Sequence, residues 1–117
     1  MAATISKSER LCGKKAIAGL MERGKGGVSG CLRYKFLKTG EADASRILVS
    51  VPKRFFKRAV KRNLLKRRIR ESYRLQKDLL PVPVDIAFLY QDREVLPFSD
   101  IFAAMTAVLT AVAAKTE

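Results

Sequence analysis

Residues 46–74 read RILVSVPKRFFKRAVKRNLLKRRIRESYR, and this stretch decides the fold. Positions 46–51 are rich in aliphatic and β-branched side chains, the composition of a strand. Pro52 ends it, because proline has no amide hydrogen to give to a ladder. From around Phe56 or Lys57 the pattern becomes helical and runs to about Asp78. Leu65, Ile69 and Tyr73 recur at i, i+4 and i+8 on one side. Asn63, Lys66, Arg67, Arg70 and Arg74 follow i, i+3, i+4, i+7 and i+11 on another. Val60 and Leu64 make a shorter apolar patch. The stretch therefore predicts a strand that hands over to a long helix with one apolar and one cationic face.

Working outward gives the remaining elements. Residues 6–23 predict a first helix, capped by Ser6 or Ser8 with Glu9 closing a capping box, and with Leu11, Ile17, Leu20 and Met21 as its apolar positions. Gly24 ends it, and 24–30 reads as a Gly/Ser turn region. Residues 31–38 alternate, with Leu32, Tyr34, Phe36 and Lys38 on one face and Arg33, Lys35 and Leu37 on the other. A polar turn at 39–45 separates this strand from the one at 46–51. Pro81 and Pro83 precede an apolar third strand at 84–90, then a loop at 91–97. A last helix spans about 99–115, with Ile101, Met105, Val108, Leu109 and Val112 as its stripe. The expected order is α-β-β-α-β-α in one domain over 1–117, an α/β (α+β) two-layer sandwich with a central sheet.

Charge narrows the function classes. The 117 residues carry 24 Lys+Arg against 11 Asp+Glu, a net +13. Positions 53–74 hold eleven basic residues and one acid, Glu71, so this one segment supplies ten of that surplus. Concentrated charge of one sign is what a polyanion-binding face requires. Arginine suits phosphate because its planar fork donates two hydrogen bonds at once. A solvated, unoccupied face is the plainer reading, but like charges at i,i+4 repel. A basic amphipathic helix lying on a membrane is another, though it leaves Asn63 and the surrounding folded domain unexplained.

The chain contains no histidine, and its acids are scattered. Asp85, Asp92, Glu94 and Asp100 read as loop and capping residues rather than a metal or acid–base constellation, so we expect no catalytic residue in the chain itself. Cys12 and Cys31 lack metal-ligand spacing and read as ordinary reduced cysteines. The opening Met1-Ala-Ala-Thr-Ile-Ser-Lys has no signal-peptide run. The Ala-rich C-terminal stretch, broken by Thr106 and Thr110, reads as too short for a bilayer. The expectation is a cytoplasmic protein with no membrane contact.

Residues 53–71 resemble the signature of the bacterial ribonuclease P protein family. That signature is an Arg-Asn-Arg core preceded by Ala-Val and followed by Lys-Arg and, two residues on, Arg. Ala59-Val60, Arg62-Asn63, Lys66-Arg67 and Arg70 match it. Arg10-Leu11, Gly24, the strand leading into Pro52-Lys53 and the element order extend the resemblance along nearly the whole chain. Leu64 departs from it, standing where the third motif residue would be Arg. Ile17 and Met21 stand where relatives often carry phenylalanines. The segment 55–58 is one residue longer than in many relatives.

The resemblance implies an accessory subunit of an endoribonuclease whose catalyst is RNA. It implies docking on ribonuclease P RNA through Arg62, Asn63, Lys66, Arg67, Arg70 and Arg74, with Lys57, Arg58 and Lys61 beside them. It also implies a cleft for the 5′ leader of precursor tRNA, with Ile17, Met21, Tyr34, Phe36, Ser50 and Lys53 as candidates. No cofactor or metal is expected on the protein alone; Mg²⁺ is expected to be required by the RNA-containing holoenzyme, and the free protein is expected to be monomeric. The resemblance points to a left-handed β-α-β crossover, where general statistics favour the right-handed one. A structural RNA-binder of ribosomal-protein type is the alternative that size and charge leave open.

Overall fold

The computed structural model describes residue 11 and residues 14–38 and 45–116. The expected capping residues Ser6, Ser8 and Glu9, the Arg10 match, Cys12 and most of the 39–45 turn lie outside the described residues. The elements are α1 (Lys14–Arg23), β1 (Lys25–Ser29), β2 (Leu32–Lys38), β3 (Arg46–Ser50), α2 (Ala59–Gln76, followed by a 3₁₀ turn at Lys77–Leu79), β4 (Val84–Tyr90) and α3 (Phe98–Thr116). The α-β-β-α-β-α order holds with one strand added.

That strand, β1, occupies what reads from sequence as a turn region. Gly26 and Gly27 have poor strand propensity, which hides it. Tertiary context explains them: among the described strands β1 pairs with β2 alone, at the sheet edge. A Cβ on Gly27 would sit 2.4 Å from the Tyr34 hydroxyl oxygen. Gly30, at φ +58°, opens the two-residue turn between Ser29 and Leu32, a backbone conformation suited to glycine in tight hairpins. At the end of α1 the Gly24 amide donates to the Leu20 carbonyl at 2.8 Å. A Cβ there would meet that same oxygen at 2.4 Å, so glycine ends the helix because only glycine fits.

The sheet runs β1-β2-β4-β3, with β1/β2 and β2/β4 antiparallel and β3/β4 parallel. Its register sorts the side chains by face. Tyr34, Phe88 and Val49 lie in one row, and Phe36, Ile86 and Ile47 in the next; all six are buried. This face packs against α2 through Leu65, Ile69 and Tyr73, and against α3 through Ile101, Met105, Val108, Leu109 and Val112, in one core. The Tyr73 and Phe88 rings meet at 6.1 Å. The apolar faces expected for both helices are the ones buried.

On the opposite face the rows are Val28–Arg33–Leu89–Ser50, Gly26–Lys35–Ala87–Leu48 and Leu37–Asp85–Arg46. The third row is sealed by Arg46, which donates to both Asp85 carboxylate oxygens at 2.9 and 2.8 Å. α1 crosses this face: its Leu20 is fully buried, and Lys35 Nζ donates to the Met21 carbonyl at the helix's end. The helices thus fall on both sides of the sheet, two on one and a short one on the other.

Three expectations need correcting. Leu11, expected inside the first helix, lies outside α1, and its amide donates to the Ile47 carbonyl of β3 at 2.8 Å. α2 starts at Ala59, not at Phe56 or Lys57. Phe56 is buried, and its amide and that of Phe55 both donate to the Pro52 carbonyl at 3.3 Å, so a turn occupies those positions first. α3, at 19 residues, is long and apolar enough to cross a membrane by length and composition. It is spent otherwise here, because its stripe is fully buried against the sheet and α2.

Candidate nucleic-acid interface

The cationic side of α2 is opposite the side that packs. Leu65, Ile69, Ser72, Tyr73 and Gln76 are buried, while Asn63 and Arg67 are exposed and Lys66, Arg70 and Arg74 half-exposed. The helix is anchored by more than apolar contact. Gln76 donates to the Ser72 and Phe102 carbonyls at 3.3 and 3.1 Å and accepts from the Thr106 hydroxyl. Arg68 donates to the Leu96 carbonyl. This anchoring offsets the mutual repulsion of the exposed cations, and isolated propensity alone would not hold such a helix.

The amino-terminal end of α2 carries no acid in its first turn, and Arg58 at the cap position makes no side-chain capping bond. Lys57, Arg58 and Lys61 are exposed there. Cations at that end oppose the helix dipole. Such an end, with amide hydrogens pointing outward, is favourable to an anion.

Two members of the expected face do something else. Arg62 folds back, donating to the Phe56 carbonyl at 2.7 Å and the Lys57 carbonyl at 2.9 Å. It shapes the turn into α2 instead of pointing its guanidinium outward. Arg74 is held by Glu71 through two bonds of 3.0 Å, which lower the carboxyl's pKa below the usual range. Leu64, the departure from the family pattern, is half-buried beside the exposed Val60.

The second feature is a groove of about 720 Å³ on the open sheet face. Two register rows floor it: Arg33, Leu89 and Ser50, then Lys35, Ala87 and Leu48; Met21 and Gly26, Gly27 and Val28 form its sides. Of the cleft candidates, Met21 and Ser50 line it with exposed side chains. Tyr34 touches it but is only 5% exposed. Phe36 is in the core, its ring 6.4 Å from that of Tyr34. Ile17 is half-buried on α1 outside the groove's lining, and Lys53 is exposed on the turn after β3. Arg33 and Lys35, absent from the sequence-based cleft, are the cations the groove presents. The alternation of β2 separated the two sets; choosing the face required knowing where α2 and α3 pack.

Among the described residues no group of three or more Cys, Asp or Glu side chains is placed to hold a metal. Asp85 is committed to Arg46, and Asp92 accepts from the Glu94 amide at 2.8 Å. Cys31 is a buried free thiol whose pKa burial raises.

Comparison with known proteins adds the decisive observation: the family model for ribonuclease P matches residues 5–113. The chain belongs to the ribonuclease P protein family. Two Porphyromonas gingivalis proteins, each named ribonuclease P protein component, are 39% and 38% identical over 93% of this chain and 86% of their own length. The Staphylococcus aureus ribonuclease P protein superposes with a TM-score of 0.79 at 22% identity, covering 91% of this chain and 96% of that one. The Thermotoga maritima protein does so with a TM-score of 0.77 at 26% identity, over 88% and 96%. As a ribonuclease P protein component, the chain is part of an endoribonuclease complex of tRNA processing, with a ribonuclease P RNA as the implied partner.

Proposed function

We propose that this ribonuclease P protein works by two surfaces. The exposed face of α2 — Asn63, Lys66, Arg67 and Arg70, with Lys57, Arg58 and Lys61 at its amino-terminal end — docks on the catalytic RNA. The open sheet groove receives the single-stranded 5′ leader of precursor tRNA. The observation that carries this reading is the nearly one-signed cationic face on a helix whose opposite side is locked into the core. Neutralising several phosphates releases condensed counterions, so binding should be steeply salt-dependent.

Within the groove, Arg33 supplies charge and Leu48, Ala87 and Leu89 an apolar floor. Among the described residues its lining aromatics are Tyr34 and Phe88, at most 5% exposed. The strand is then held by its backbone and sugar edges more than by base stacking, the usual device for single-stranded RNA. Hydrolysis belongs to the RNA and its Mg²⁺; the protein's part is to bind and position. Its place of action is the cytoplasm, as a monomer before RNA binding.

The test is reconstitution. The pure protein is mixed with a bacterial ribonuclease P RNA at low Mg²⁺ and leader removal is measured. Stimulation over RNA alone is expected. No stimulation overturns the proposal and leaves the ribosomal-type structural binder as the better account.

A further inference from the structure

The loop after β3 and the loop after β4 meet around one aromatic ring. The Arg54 guanidinium carbon lies 4.9 Å from the Phe55 ring centroid, and that of Arg93 lies 5.4 Å from the same centroid. Among the described residues these three line an open depression of about 310 Å³. Phe55 is half-buried and packs on the core, which fixes its ring. Arg54 and Arg93 are exposed, and neither guanidinium has a hydrogen-bond or carboxylate partner among the described residues.

One guanidinium on a ring is a self-sufficient contact. Two on the same ring, lining one depression, bring two sets of donors to a single open site. The distances to the shared centroid put the two guanidinium carbons within about 10 Å of each other. An anion seated in that depression can accept hydrogen bonds from both planar forks. Nearby residues add to the attraction: Arg54 and Phe55 stand a few positions before the acid-free amino-terminal end of α2. Asp92 flanks Arg93, but its carboxylate accepts from the Glu94 amide instead.

We propose that Arg54, Phe55 and Arg93 form a clamp for one phosphodiester group of an RNA chain, distinct from both the α2 face and the sheet groove. This rests on the RNA-binding reading above. Two of its parts, Arg54 and Phe55, come from the turn that delays the start of α2, and the third from the β4–α3 loop, so the site exists only in the folded chain.

The experiment measures binding of full-length protein to a bacterial ribonuclease P RNA, and of the reconstituted complex to precursor tRNA with and without a leader, across a salt series. Arg67→Ala serves as the control for the α2 face. Arg93→Gln is expected to weaken RNA binding several-fold and flatten the salt slope by ~1, the loss of one neutralised phosphate. Arg93→Lys should restore the slope, since a point charge still neutralises the phosphate while losing the fork geometry. An effect in the protein–RNA titration assigns the phosphate to the catalytic RNA; an effect confined to leader-bearing precursor assigns it to the leader. If Arg67→Ala flattens the slope and Arg93→Gln does not, the clamp is wrong and the α2 reading stands. If neither does, the RNA-binding reading itself fails. Equal weakening by Arg93→Gln and Arg93→Lys with the slope unchanged marks a structural contact and overturns the clamp.

Discussion

The two faces of the sheet are made by alternate residues of the same strands, yet they have opposite fates. Leu32, Tyr34 and Phe36 of β2 are buried under two helices, whereas Arg33 between them stays exposed and Lys35 half-exposed. The difference is one of coverage. α2 and α3 close the first face along its length, while α1, at ten residues, leaves two of the three rows on the second face open. A period of two makes the faces unlike; the number and length of the helices decide which one becomes a site.

The sharpest way to break the comparison is to remove volume from the closed face. Phe88, 1% exposed and in contact with the Tyr73 ring, should cost about 3–5 kcal/mol of stability on replacement by Ala, from lost burial plus the cavity. Chemical denaturation measures this, and a loss below 1 kcal/mol would mean the closed face is loosely packed.

Tyr90, on the same face, is a polar group the core must satisfy. Its hydroxyl donates to the Glu94 carbonyl at 2.6 Å and accepts from the Leu96 amide at 3.2 Å. Tyr90→Phe should cost about 1–2 kcal/mol by stranding those partners. Burial, the larger influence, pushes the Tyr90 pKa up to about 12 from its ordinary 10.0. A raised folded-state pKa means the stabilisation is complete below the unfolded value and lost as pH rises through the folded one. Stability should therefore fall between pH 10 and 12, and more steeply than in Tyr90→Phe. Parallel pH curves for the two proteins would sink this prediction.

The open face should show the reverse pattern. Arg33→Ala should change stability by no more than about 0.5 kcal/mol, as an exposed substitution with no partner to strand among the described residues. In the reconstituted complex it should still weaken binding of leader-bearing precursor several-fold, and leaderless tRNA little. Equal effects on both would place the leader elsewhere.

Parts of the molecule were plain in the sequence. β4 was legible to the residue because Pro83 stops what precedes it and an unbroken apolar run carries a strand buried by its neighbours. The apolar face of α2 was legible because Leu65, Ile69 and Tyr73 keep helical spacing with no competing pattern. β1 was not, since its two glycines read as a turn, whereas Gly27 is there for the Tyr34 ring on the neighbouring strand. Arg62 looked like a member of the cationic face, because motif position says nothing of a side chain that turns back on two carbonyls. Phe36 looked available for a cleft, because aromatic character suits a nucleotide platform and a core equally.

By itself the sequence determined where charge and apolar surface sit along the chain: ten of the +13 in residues 53–74, an apolar stripe on the helix that fills most of that segment, and no histidine for acid–base work. Those follow from local periodicity and composition, which need no partner to be read. Only the tertiary structure decided which sheet face stays open, which arginines of the motif are spent inside the fold, and that Arg54 and Arg93, nearly forty residues apart in the chain, share one ring. These depend on what packs against what, and pattern within a strand or helix carries no record of its neighbour.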